Sequence, residues 1–122
     1  MQRFTDLKVW QRGHGLALAV YKLSAAFPSD ERFGLVAQLR RAMVSVPTTI
    51  AEGSRRRSAR DYAHFLNIAE ASLAEVEYLL MLSRDLGYLD EPTATKDINE
   101  ATEISRMLYA LRRKVEADNA DL

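Results

Sequence analysis

The chain has 122 residues, 28% of them charged, with 17 basic and 17 acidic side chains balancing to a formal net charge of zero. That length makes a single domain with a core large enough to need no metal or disulfide staple. Cysteine is absent, which excludes a disulfide framework, a zinc–thiolate site and a cysteine nucleophile.

The opening Met1-Gln2-Arg3-Phe4-Thr5-Asp6 has no basic segment leading into an apolar run, so no signal peptide is expected. A first helix is expected over about 6–26, with Thr5 or Asp6 as its cap. Val9, Gly13, Leu16, Ala17, Val20 and Leu23 recur at three- and four-residue spacing and build one apolar face. Gly13 and Gly15 weaken the helix by roughly 1 kcal/mol each against alanine. They serve close helix approach or are simply tolerated. Trp10 and Tyr21 flank the face as large anchors, and Phe27-Pro28 ends the helix.

Ser29-Asp30-Glu31 supplies a capping hydroxyl and two acids, so a second helix is expected over about 30–52. Val36, Leu39, Met43, Val46 and Ile50 form a heptad-spaced seam. Pro47 falls inside it and removes one amide, yet the seam continues, which predicts one kinked helix rather than two. Gly53 is the expected stop, in a left-handed conformation.

Ser58 is the expected cap of a third helix over about 59–86, with Gly87 as its stop. At 100° per residue, with Phe65 at zero, its apolar side chains cover an arc from about 240° round to about 100°. That is wider than the stripe of a surface helix, and predicts oligomerisation through the third helix. Glu75 and His64 fall within the arc. A buried carboxylate needs a partner, so Glu75 is expected to pair with an arginine, within the chain or across a subunit boundary; the alternative is that it reaches solvent at the seam edge.

Asp90-Glu91-Pro92-Thr93 starts a fourth helix, expected over about 92–117. Ile98, Ala101, Ile104, Leu108, Leu111 and Val115 are its stripe. Arg112-Arg113-Lys114 complements the negative helix end or forms a second basic patch. No alternating segment remains for strands. The expectation is one all-α domain, an antiparallel up-down-up-down four-helix bundle, soluble and cytoplasmic, with no membrane partner.

Catalytic and metal constellations are lacking. Carboxylate-bridged di-metal bundles need two Glu-x-x-His motifs. This chain has two histidines, His14 and His64, and offers only Asp61-x-x-His64. Neither Ser54 nor Ser58 has a histidine base nearby in sequence, and there is no glycine-rich phosphate loop. No enzyme, metal or cofactor is expected.

Charge distribution says more than net charge. From Arg40 to Arg60 there are six arginines and one acid, Glu52, a local balance of +5. Arg55, Arg56, Arg57 and Arg60 occupy a turn and a helix start, where amides and the dipole also favour an anion. Binding to RNA or DNA backbone is the expected use, with Arg40 and Arg41 in support, through phosphate contacts rather than base reading. The alternatives are a solvated basic turn with intramolecular partners, or a protein–protein scaffold whose arginines make intersubunit ion pairs. Arg41 and Glu52 share one outer face, three turns apart, and Glu52, like Glu75, is expected to be a buried or intersubunit acid.

Four blocks of this sequence resemble a known family. They are Phe4-Thr5-Asp6-Leu7-Lys8-Val9-Trp10-Gln11; Phe27-Pro28 with Glu31-Arg32-Phe33-Gly34-Leu35; Gln38-Leu39-Arg40-Arg41-Ala42 through Val46-Pro47 and Ile50-Ala51-Glu52-Gly53; and Phe65-Leu66, Ala69 and Ser72-Leu73-Ala74-Glu75. The family is the bacterial four-helix bundle proteins encoded in intervening sequences of 23S rRNA genes. The chain is also similar to the accessory proteins of diversity-generating retroelements. The resemblance spans Phe4 to about Leu111. It implies a ring-shaped homopentamer and, by way of the retroelement relatives, a basic surface that binds nucleic acid and a reverse transcriptase. Thr49 stands where an Asn is usual, Glu70 where an Arg is common and Ala71 where a Gly is common. Glu70 puts nucleic-acid binding from that position in doubt.

Overall fold

A computed structural model describes residues 3–120, with side chains to residue 118, so Met1, Gln2, Asp121 and Leu122 lie outside the described residues. Its elements are α1 (Lys8–Ser24), α2 (Leu35–Ser54), α3 (Ala59–Asp85) and α4 (Glu91–Ala120), with single 3-10 turns at Phe4–Asp6 and Ser29–Glu31. The described residues contain no strand, and no helix is long and apolar enough to cross a membrane. The fold is an all-α four-helix bundle.

Each helix packs on its neighbours in sequence and α1 closes on α4, while α1 is not packed on α3, nor α2 on α4. Contacts between successive helices run in opposite order. Between α1 and α2 they pair Ser24 with Arg40, Gly13 with Val46 and Phe4 with Arg55. Between α2 and α3 they pair Gln38 with Glu75, Ser45 with Ser72 and Gly53 with Phe65. Between α3 and α4 they pair Glu77 with Thr102 and Glu70 with Arg112.

The core is built from the expected stripes. Val9, Leu16, Ala17 and Val20 of α1 are buried, as are all five seam residues of α2 and Ala101, Ile104, Leu108 and Val115 of α4. Pro47 sits inside α2 without splitting it. Two helix ends follow the sequence chemistry. Ser58 caps α3, its hydroxyl accepting the Asp61 amide at 3.1 Å. Gly87 ends α3 with φ at 81°; its amide donates to the Arg84 carbonyl at 3.0 Å and the Tyr88 amide to the Ser83 carbonyl at 2.9 Å. This is the paired-bond stop that a left-handed glycine makes.

Four expectations are corrected. The first helix begins at Lys8 rather than near residue 6, because the Asp6 carboxylate accepts the Arg3 amide (3.3 Å) and closes its own short turn instead of capping α1. The second begins at Leu35 rather than 30. Ser29–Glu31 turns tightly after Pro28, and it is the Glu31 carboxylate that reaches the Leu35 amide, at 3.5 Å.

Gly53 is not a left-handed stop, since Gly87 alone among the described glycines has positive φ and α2 continues to Ser54. Its role is contact. A Cβ at residue 53 would lie 2.7 Å from Phe65 Cβ and 3.1 Å from Tyr62 Cδ1.

The wide arc of the third helix is covered within the chain. α3 packs on two helices at once, burying Leu66, Ala69, Leu73, Val76, Leu79 and Leu80, with Ile68 and Leu82 half-buried. That breadth therefore gives no reason of its own for a second copy. Glu75 and His64, placed in the arc by the wheel, are both exposed.

Candidate nucleic-acid interface

The turn between α2 and α3 sets the geometry of the basic cluster. Because Gly53 has no side chain, the end of α2 lies directly on Phe65 and Tyr62 of α3. Burial there pushes the Tyr62 phenol above its ordinary pKa. The chain then reverses in a short turn, with the Arg55 amide donating to Glu52 O (3.2 Å) and the Arg56 amide to Gly53 O (3.0 Å).

Two of the turn arginines lie over aromatic rings. The Arg56 guanidinium is 4.5 Å from the centre of the Phe65 ring, and that of Arg55 is 6.0 Å from the Phe4 ring. Such contacts hold a planar cation by one face and leave its N–H edge free for an anion. Arg57 and Arg60 are exposed beside them, at the positive end of α3. The end of α4 lies alongside. A hollow of about 400 Å³ between the start of α3 and the end of α4 is lined by Arg60, His64, Asn67, Arg112 and Glu116. Arg113 and Lys114 are exposed just beyond Arg112. From the sequence alone these two serve either the helix end or a second patch; the fold brings them to the same end of the bundle as Arg55–Arg57.

Among the described residues, the ion pairs are Arg12–Glu100, Arg84–Asp85, Arg106–Glu103, Arg112–Glu70 and Arg112–Glu116. None uses Arg41, Arg55, Arg56, Arg57 or Arg60. Among the described residues, the turn arginines are thus not absorbed by intramolecular ion pairs.

The other proposed contacts separate from this cluster. Arg40 is occupied. Its Nε donates to Ser24 Oγ (2.8 Å), its Nη2 to the Tyr21 carbonyl (3.1 Å), and its plane lies 4.5 Å from the Tyr21 ring. It fastens α2 to the carbonyl end of α1, where a cation is favoured. Arg41 is exposed, but lies fourteen residues before Arg55 along α2, roughly 20 Å at 1.5 Å per residue. Glu52 and Glu75 are both exposed rather than buried. Glu75 accepts from Gln38 Nε2 at 3.1 Å, so its partner is an amide on α2 and not an arginine of its own chain.

Glu70 pairs with Arg112 across α3 and α4. The pair is only 18–19% exposed, and Arg112 also donates to Glu116 at 3.0 Å. The hydrogen bond that Arg112 donates to the Glu70 carboxylate holds the Arg112 pKa above its ordinary value. Arg112 is thereby removed from the free cations at this end.

Nothing in the described residues gathers three or more metal-ligating side chains. Asp61 belongs to the first turn of α3, where its amide is capped by Ser58, and the His64 ring meets the Phe65 ring edge-on at 6.0 Å.

A second surface was not singled out from the sequence. The outer side of α1 and α2 forms an open groove of about 550 Å³, walled mainly by apolar side chains. Phe4 packs edge-on to Trp10 at 5.2 Å, and His14 stacks on Trp10 at 5.1 Å. The available signal was a second stripe on α1, Trp10, His14, Leu18 and Tyr21, at three- and four-residue spacing beside the buried one.

Comparison with known proteins bears on about seven-eighths of the chain. The model of the 23S rRNA-intervening sequence protein family matches residues 5–110. Among solved structures, the fold is similar to a protein of unknown function from the S23 ribosomal protein family of Bacteroides thetaiotaomicron. The two are 25% identical, with a TM-score of 0.77, over 85% of this chain and 97% of that one. No curated protein matches the sequence.

Proposed function

The chain belongs to the 23S rRNA-intervening sequence protein family, and from that premise we infer that it is a non-enzymatic, oligomeric bundle whose arginine-rich end holds a nucleic-acid backbone. The observation that carries this reading is the state of the α2–α3 turn. Arg55, Arg56, Arg57 and Arg60 are exposed, lie outside the ion pairs of the described residues, and are joined at the same end by Arg113 and Lys114. Stacking of Arg55 and Arg56 on Phe4 and Phe65 lowers the conformational freedom lost when a phosphate binds. No side-chain set for reading bases accompanies them, so the recognised feature is backbone and shape.

The resemblance to ring-forming proteins adds a five-copy assembly. Repeating the arginine end around a ring makes a modest patch multivalent. The likeness to retroelement accessory proteins adds a reverse transcriptase as the protein partner to examine first.

Titration of a structured RNA at several salt concentrations tests the reading. Affinity should fall steeply with salt, and replacing Arg55, Arg56 and Arg57 together by Glu should weaken binding at least about tenfold at low salt. Undetectable binding at low salt, or an unchanged affinity in the triple variant, rejects it. Light scattering tests the assembly: a mass equal to one 13.8 kDa chain at micromolar concentration rejects the oligomer.

A further inference from the structure

At the end of the bundle opposite the arginine turn, the last turns of α1, the α3–α4 connection and the first turns of α4 surround an open pocket of about 490 Å³. Small-molecule sites have volumes of this order. Ala19, Leu23, Ala26 and Leu89 form its apolar wall, and its charged side chains are Lys22, Lys96, Asp90 and Asp97.

The two acids differ. Asp90 is exposed and committed to the start of α4: its carboxylate accepts the Thr93 amide at 3.3 Å, and hydrogen bonds from Thr93 hold it below its ordinary pKa. Asp97, two turns further along α4, is only 6% exposed. Among the described residues its carboxylate joins no ion pair and accepts no hydrogen bond, yet neither oxygen is sealed off, so both open toward the pocket that this residue lines. A carboxylate so buried is ordinarily satisfied, because a bare one costs free energy. Burial accordingly holds this carboxyl above its ordinary value.

Neighbouring groups are already engaged. Glu100, the next acid on α4, is held by Arg12, and the Tyr88 hydroxyl donates to Glu31 at 3.0 Å. Lys22 and Lys96 are exposed and belong to none of the ion pairs of the described residues. The pocket therefore offers one deep carboxylate, two ammonium groups with room to move, and an apolar wall. A plain amine would be repelled by the lysines, and a plain carboxylate by Asp97. A ligand carrying both signs suits all three features.

We propose that this pocket binds a small zwitterion of the amino-acid type, with its ammonium on Asp97, its anionic group on Lys22 and Lys96, and its apolar side chain against Leu23 and Leu89. The ammonium donates charge-assisted hydrogen bonds to the carboxylate, the stronger class of such bonds. No residue of the arginine turn takes part, so the site stands apart from nucleic-acid binding.

Calorimetric titration at pH 7 with L-leucine, 3-methylbutylamine and 4-methylpentanoate tests this. The last two keep the leucine stem and lack its carboxylate and its ammonium respectively. L-Leucine should bind saturably, and each single-charge analogue at least about tenfold more weakly. Asp97→Asn, which keeps the shape and removes the charge, should weaken L-leucine at least about tenfold. Lys22→Gln with Lys96→Gln, at exposed positions that leave the fold intact, should weaken it about three- to tenfold. Absence of saturable L-leucine binding overturns the assignment. So does an amine that binds as tightly as the amino acid, or an affinity unchanged in either variant. Should Asp97→Asn fail to fold, the two analogues and the lysine variant still decide.

Discussion

Gly53 meets Phe65 so closely that a single added methyl at residue 53 would stand 2.7 Å from Phe65 Cβ, nearer than packed carbons approach. The neighbouring atom is fixed to the α3 backbone and cannot swing aside. Gly53→Ala should therefore destabilise by about 1–3 kcal/mol through overpacking, although alanine favours helix by up to about 1 kcal/mol. Gly15, exposed and with nothing within 4 Å of an added Cβ, is the internal control: Gly15→Ala should stabilise by about 0.5–1 kcal/mol. Urea unfolding of both variants checks the contrast, and equal responses would remove the packing role given to Gly53.

The Glu70–Arg112 pair ties α3 to α4 in a setting with little water. Arg112→Ala leaves the Glu70 carboxylate without its partner and should cost about 1–3 kcal/mol. Glu70→Arg, which sets two cations against each other, should also destabilise, and exchanging the two residues should recover part of the loss. A double-mutant cycle measures the coupling; a value near zero would mean that the pair is only a surface contact.

Asp97 is buried at 6% exposure on the core side of α4, and burial pushes its carboxyl above the ordinary value of 3.8, with Lys96 opposing and Glu100 adding. With the folded pKa raised, the folded chain retains a proton that the unfolded chain has already released. The group's contribution is therefore fully present below about 3.8 and is lost as pH rises through the folded pKa. Asp97→Asn should raise the melting temperature at pH 7, and the advantage should shrink as pH approaches 4. A variant less stable than the parent at pH 7 contradicts this sign.

Arg40 and Arg57 should part company in their effects. Arg40→Ala removes hydrogen bonds to Ser24 and to the Tyr21 carbonyl and the contact with the Tyr21 ring, and should cost about 1–2 kcal/mol of stability. Its effect on RNA affinity should stay within about twofold, whereas Arg57→Glu should leave stability unchanged and weaken RNA binding. Paired melting curves and titrations decide; an Arg40 effect confined to RNA would return that residue to the interface.

Features set by a few neighbours in sequence were legible. The stop at Gly87 and the cap at Ser58 depend on local backbone chemistry, and the α2 seam from Val36 to Ile50 on periodicity alone. Features set by another helix were not. Gly53 has the residue type of a stop, but its position is dictated by Phe65. The apolar arc of α3 is visible in the sequence, whereas the number of helices covering it is not. In the arginine run, side-chain type could not separate Arg40, held at the end of α1, from Arg57, which faces solvent. Asp97 escaped notice although it lies on the stripe through Ala94, Ala101 and Ile104.

The seams of the bundle are unequal: α1 packs on α2 and α4 less extensively than α3 packs on its own two neighbours. The cheapest partial opening is therefore detachment of α1, leaving α2, α3 and α4 folded. The α1/α2 groove exists only while α1 is docked. Amide exchange along Val9–Val20 should therefore be faster than along Leu66–Leu80 of α3, and the groove should be lost at that first opening.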